Sequence, residues 1–314
     1  MTRTAYDKGL RDLGNGIYAY LQPDGSWGWS NAGLVVDGGE SLLVDTLFDL
    51  NLTSEMLRAM RDVSKAAETI GTLVNTHANG DHCWGNELVG GAEIIASRAG
   101  AEEMAEVPAA MLEGMMQAAP GMGELGEYLI RIFGDFDFSG ITMTPPTRTF
   151  DRETTVTVGD KAVRLLEVGP AHTRGDVLVH IPADRTVFTG DILFVEGHPI
   201  MWAGPVANWI AACGKIMAMD VDYIVPGHGP ITDKAGVAAV QGYLEYVAQE
   251  ARKRYDAGLG VLEAAQDIAM DDYSSWGDGE RIVVNVNTLY REFSGDTSEV
   301  DIAGLFAMMA QLAK

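Results

Sequence analysis

The stretch Thr76-His77-Ala78-Asn79-Gly80-Asp81-His82 gathers two imidazoles, a carboxamide and a carboxylate within the six positions 77–82. It follows the apolar residues Ile70, Leu73 and Val74, so a strand is expected to end where the polar cluster begins. Packing gives no reason for such a cluster. Convergent, deprotonated donors on a turn do suit a cation. Gly80 lets the backbone bend between the pair His77/Asn79 and the pair Asp81/His82.

Three more donors each follow a β-like run of their own. His172 comes after residues 165–168 and a Gly169-Pro170 break. Asp191 follows Val187-Phe188-Thr189-Gly190, and His228 lies within Pro226-Gly227-His228-Gly229-Pro230. A single histidine is commonplace in a core or surface network. Here four of the six histidines stand after expected strands in turns marked by Gly or Pro. They read as a metal site assembled at strand ends.

The surrounding pattern is α/β. Strands are expected at 17–20, 33–36, 41–44, 70–75, 162–168, 177–181, 186–189 and 223–225, with Asp37-Gly38-Gly39-Glu40 turning a hairpin. Met56, Met60 and Val63 mark a helix with Thr53 or Ser54 as its N-cap. Residues 97–134 carry one helical stripe (Met104, Met111, Leu112, Met115, Met116) and a second short one (Leu125, Tyr128, Leu129, Ile132). With the irregular stretch that follows, 97–146 is expected to form a helical lid inserted into a domain spanning 1–232. A helix is expected over 209–217. Residues 233–314 read as a helical C-terminal extension, with one face at Val237, Val240, Leu244 and Val247 and another at Ile282, Val286, Leu289 and Phe293.

Lys and Arg total 22 against 45 Asp and Glu, a formal charge of −23. Such a surface repels phosphate backbones and anionic lipid, so neither nucleic acid nor membrane is an expected partner. The two cysteines, Cys83 and Cys213, supply no disulfide framework. Residues 1–8 lack an apolar leader region, and no stretch approaches the roughly 18 apolar residues of a membrane span. A cytoplasmic location is expected. There is no Gly-x-Ser-x-Gly elbow and no cysteine with an evident base, which disfavours covalent catalysis.

In order and spacing, His77-x-Asn79-x-Asp81-His82, Ala171-His172-Thr173-Arg174-Gly175-Asp176, Thr189-Gly190-Asp191 and Pro226-Gly227-His228-Gly229 resemble the metallo-β-lactamase superfamily. Leu43-Val44-Asp45-Thr46 extends the resemblance upstream, so that it covers about residues 12–232. It implies a four-layer αββα sandwich with metal at one edge. One site would use His77, the residue at position 79 and His172; the other would use Asp81, His82 and His228. Asp191 would bridge them, and Asp45 would orient the site from behind. The family pattern has a second histidine where this chain has Asn79. An amide oxygen is a weaker donor to Zn²⁺ than an imidazole nitrogen, so the site of Asp81, His82, Asp191 and His228 is expected to bind more tightly. Zinc is the expected cation, in one or two sites; iron and manganese are also compatible with these donors.

A metal with an open coordination position lowers the pKa of bound water to about 7 and polarises the oxygen under attack. Asp81 then doubles as ligand and local proton acceptor. This points to hydrolysis of an ester, lactone, thioester or amide. Trp27 and Trp29, in the turn before residue 33, together with Trp84, Met111, Met115, His198 and Trp202, are candidates for an apolar pocket around a small-molecule substrate. Two alternatives stay open: a non-hydrolytic enzyme of secondary metabolism on the same fold (a polyketide cyclase, thioesterase-cyclase or decarboxylase), and a ligand-binding protein with an impaired site. The apolar faces after residue 232 would also suit a homodimer.

Overall fold

An antiparallel meander opens the chain: β1 (Gly9–Gly14), β2 (Ile17–Leu21), β3 (Ala32–Asp37) and β4 (Glu40–Val44). The β3–β4 hairpin turns at Gly38 and Gly39, both with positive φ, as the Asp-Gly-Gly-Glu signal requires. The computed structural model describes residues 6–313. Helix α1 (Leu50–Val63) follows, then β5 (Thr72–Val74), the one-turn helix α2 (Gly80–Cys83) and β6 (Glu93–Ser97). Three helices come next, α3 (Arg98–Met104), α4 (Ala109–Ala118) and α5 (Glu124–Phe133), before β7 (Arg148–Phe150) completes the first sheet in the order β1-β2-β3-β4-β5-β6-β7.

The second sheet comprises β8 (Glu153–Val158), β9 (Lys161–Glu167), β10 (Val177–Ile181), β11 (Thr186–Phe188) and β12 (Tyr223–Val225), in the order β12-β11-β10-β9-β8. Helix α6 (Val206–Ala218) joins its last two, parallel strands. Helices α7 (Lys234–Asp256), α8 (Val261–Asp267), α9 (Ile282–Ser294) and α10 (Ile302–Leu312) end the described chain.

Three apolar cores make the layers. Ile17, Val35, Val44, Val74 and Ile95 of the first sheet meet Val163, Leu165, Val177, Val179 and Phe188 of the second. Leu34, Leu43, Leu73 and Ile94, on the first sheet's other face, pack under Met56, Leu57 and Met60 of α1. Leu178, Val187 and Ile224 pack beneath Trp209, Cys213 and Ile216 of α6, and the same core runs on through Val237, Val240, Leu244, Val247, Ile282, Val286 and Leu289. The arrangement is the αββα sandwich with C-terminal helices that the motif order implies.

Several local expectations are corrected. Asp49, not Thr53 or Ser54, caps α1, accepting from Leu52 N at 2.7 Å. Thr53 is buried inside the helix and accepts from Leu47 N at 3.1 Å. The methionine stripe at 104–116 spans two helices because Pro108, with no N–H to donate, intervenes and caps α4. Strands β1, β6, β7 and β8 give weak signals in the chain. β7 is only three residues long, β8 is Thr-rich, and β1 carries Gly, Arg and Asp among its six residues; pairing with neighbours defines them.

Candidate metal centre

Every donor of the cluster comes from a segment just beyond a strand. His77 lies three residues past the end of β5, Asp81 and His82 lie on α2, His172 follows β9, Asp191 follows β11 and His228 follows β12. All six are buried. His77, His172 and Asp191 form one group whose donor atoms lie within 4.8 Å of one another; Asp81, His82 and His228 form a second. Asp191 links the two: its Oδ2 is 3.6 Å from His77 Nε2, 3.3 Å from His172 Nε2 and 3.4 Å from His228 Nε2, while its Oδ1 is 3.1 Å from His82 Nε2. Asp81 Oδ2 is 3.2 Å from His228 Nε2 and 3.8 Å from His82 Nε2.

The Nδ1 atoms face the other way and settle the tautomers. His172 Nδ1 lies 2.6 Å from Ile200 O and His228 Nδ1 lies 3.1 Å from Gly25 O; a carbonyl only accepts, so both nitrogens donate. His82 Nδ1 meets Asp45 Oδ2 at 2.9 Å. Thr76 Oγ1 donates to Asp45 Oδ2 at 2.7 Å, which leaves it to accept from His77 Nδ1 at 3.0 Å. Asp45 thus steers His82 directly and His77 through Thr76. It holds a positive φ of 62° at the end of β4 and also accepts Thr76 N at 2.7 Å. With Nδ1 protonated, a neutral imidazole turns its Nε2 lone pair into the cluster, the state that burial favours at His77 and His172. Among the described residues, the Nε2 atoms of His77, His82 and His172 have no hydrogen-bond partner, nor has Asp191 Oδ1.

The electrostatics divide the imidazoles: at His82 and His228 burial acts to lower the ring, but Asp191 and Asp81 outweigh it and raise both, His228 to about 9. Asp45, Asp81 and Asp191 are 2%, 8% and 3% exposed, and their only ion-pair partners among the described residues are imidazoles. Burial pushes the Asp191 carboxyl up, yet His228, His82, His77 and His172 together hold it well below the usual range. Burial pushes His77 and His172 down. Buried carboxylates without a cation are costly, and a metal is a common remedy. The spacings also fit: with bonds of about 2.1 Å, donors around a tetrahedral metal stand about 3.4 Å apart.

Asn79 precedes α2, half-buried, and caps nothing with its side chain. Among the pocket candidates, Trp27 and Trp29 line a cavity of about 390 Å³ with Arg131, Ile132, Asp278 and Glu280. Trp84 is buried, stacked on Phe48 at 5.1 Å. Trp202 is half-buried 6.3 Å from Phe306, and its backbone N donates to His172 O. Met115 is half-buried against the largest core, whereas Met111 is 58% exposed on α4. His198 is buried in an aromatic nest, 3.1 Å from Tyr243 Oη. Cys83 is buried, its thiol 3.5 Å from Ala78 O. The sequence carries no signal for the carbonyls of Gly25 and Ile200, nor for the role of Thr76, because only the fold brings them to a ring nitrogen.

The metallo-beta-lactamase superfamily model matches residues 25–228. The chain is 25% identical over 89 residues to the acyl-coenzyme A thioesterase MBLAC2 of Gallus gallus, covering 26% of this chain and 31% of that protein. It is 30% identical over 103 residues to a probable hydroxyacylglutathione hydrolase of Schizosaccharomyces pombe, covering 32% and 38%. The matched stretches thus span about a third of these curated relatives. Among solved structures, a metallo-beta-lactamase from Pontibacter korlensis superposes with a TM-score of 0.57 at 17% identity, over 76% of this chain and 99% of that one. The stereoselective inverting sec-alkylsulfatase Pisa1 from Pseudomonas sp. superposes with a TM-score of 0.65 at 14% identity, over 95% and 52%. With its family match, its layered fold and its strand-end cluster of His and Asp, the chain belongs to the metallo-beta-lactamase superfamily.

Proposed function

We propose that the protein is a metal-dependent hydrolase acting on an ester, lactone, thioester or amide of an apolar small molecule. The observation that carries this reading is the set of buried, unpartnered Nε2 atoms turned onto Asp191. His77 and His172 with Asp191 would hold one cation, and Asp81, His82 and His228 with Asp191 another. Zinc best suits the donors, and the second group has the stronger set because Asn79 offers the first only a neutral amide oxygen. A divalent metal there supplies acidified water and Lewis-acid polarisation of the scissile bond's oxygen. Asp45, Ile200 O and Gly25 O hold the imidazoles in register. Asp81, the most exposed of the six at 8%, stays ionised: burial raises its carboxyl, but His82 and His228 bring it below the usual range. It is placed to accept a proton from the nucleophile. The names of the thioesterase and hydroxyacylglutathione hydrolase relatives support hydrolysis.

Metal analysis of purified protein, followed by a panel of chromogenic esters, thioesters, lactones and a β-lactam, tests the reading. Bound metal near stoichiometry and turnover of at least one carbonyl substrate are expected. His82→Ala and Asp191→Ala should each lower kcat/KM by more than about 100-fold. Metal-free protein, or undiminished rates in both variants, would refute it. Tight binding of a substrate without turnover would make the protein a binder.

A further inference from the structure

The turn at 278–281, far beyond the last donor in sequence, reaches the back of the cluster. Arg281 is 2% exposed. Its Nη1 donates to His198 O at 3.1 Å, its Nη2 pairs with Asp278 Oδ2 at 3.1 Å, and its Nε has no partner. The guanidinium lies over two rings, with Cζ 4.6 Å from the centroid of Trp27 and 5.3 Å from that of Phe194. The Phe194 ring lies parallel to the imidazole of His228, at 5.0 Å and 3°. Arg281 therefore lies against the ring that stacks on His228.

A second line runs from the same turn to the same imidazole. Ser26 Oγ donates to Asp278 Oδ1 at 2.6 Å, and Trp27 Nε1 donates to Glu280 Oε1 at 3.2 Å. These bonds and the Arg281–Trp27 contact hold the loop at 25–27. Gly25 O of that loop accepts from His228 Nδ1 at 3.1 Å. One line controls the face of the imidazole and the other its Nδ1. The backbone bridge between Phe194 and His228 fixes the main chain; on the side away from Asp81 and Asp191, which face Nε2 at 3.2 and 3.4 Å, the ring meets these two contacts.

We infer that the Asp278–Arg281 turn is a positioning clamp for His228, through which the C-terminal segment sets the geometry of the metal centre without touching it. The inference rests on the proposed metal site. Its physical basis is that groups behind a ligand hold it in register, and their loss typically weakens metal affinity or activity about 10- to 100-fold. A planar guanidinium stacks on aromatic faces in a way that an ammonium does not reproduce.

The test compares Arg281→Met, Arg281→Lys and Phe194→Leu with the parent protein. In the metal-free proteins, NMR reads the ring-current-shifted protons of His228. In cobalt-loaded protein, the visible spectrum and competition with a chromogenic chelator read geometry and affinity. Arg281→Met, which leaves the Phe194 ring in place, should move the His228 resonances, and both Arg281→Met and Phe194→Leu should alter the cobalt spectrum and weaken affinity about tenfold. Arg281→Lys should restore thermal stability without restoring the spectrum. Unmoved His228 resonances in a folded Arg281→Met protein would overturn the clamp, even if its melting temperature fell. Shifted resonances in Arg281→Met, where the parent protein takes up no metal, would support the clamp and refute the metal reading instead. If Arg281→Met does not fold, the cobalt spectrum and chelator competition of Phe194→Leu decide, and values equal to the parent's would overturn the clamp.

Discussion

Asp176 carries its carboxyl where ionisation is hard. It is 2% exposed and, among the described residues, accepts only from Thr173, at 3.0 and 3.2 Å from the backbone N and 2.9 Å from Oγ1. Burial pushes it up from 3.8 to about 8, and the Thr173 bonds only partly oppose that. A carboxyl whose folded value is raised favours folding in its protonated form. Its contribution is therefore complete below about 3.8 and is lost as pH rises towards 8. Asp176→Asn keeps an acceptor for Thr173 and removes the titration. Calorimetry should find a flatter dependence of Tm on pH between these limits, and a higher Tm than the parent's at the alkaline end; an unchanged slope would refute this. Asp45 illustrates a different residue-scale effect, since its left-handed backbone aims one carboxylate at Thr76 and His82 together.

At the scale of elements, Asp49 joins α1 to the segment preceding β7. Oδ1 accepts Leu52 N at 2.7 Å as the N-cap, and Oδ2 accepts Asp137 N at 3.1 Å. Asp49→Ala removes both acceptors. Urea unfolding should show a loss of about 1–2 kcal/mol, with Asp49→Asn recovering most of it. Equal stability of the alanine variant would mean that water replaces the cap. The helices α3, α4 and α5 behave less uniformly. Tyr128, Leu129 and Phe133 of α5 are buried, while α4 buries only Ala109. Of the methionines at 104–116, Met104 lines a cavity of about 240 Å³ with Ala101, Ala105 and Met143, whereas Met111 faces outward.

For the whole molecule the dominant electrostatic fact is a charge of −23. Self-repulsion of this size opposes the compact state. Raising the ionic strength from about 0.01 M to about 0.15 M shortens the screening length from about 30 Å to about 8 Å. The melting temperature should rise over that range. A temperature independent of salt would show that the surface acids are already paired locally. No described helix is long and apolar enough to cross a membrane.

The chain by itself determined the donors and the layers, since imidazoles and carboxylates after apolar runs announce a strand-end site, and period-two and helical patterns announce an α/β sandwich. Asp191 and His228 were legible because Gly and Pro mark their turns. What only the tertiary structure decided is which atoms stand behind those donors. Gly25 O, Ile200 O, Thr76 and Arg281 act across separations that leave no trace in local pattern, and a backbone carbonyl has no residue identity to read. Residue type suggests pocket walls at Trp84 and His198, and the fold buries both within aromatic packing. Residue type reports chemistry, whereas burial and orientation come from long-range contacts that composition does not encode.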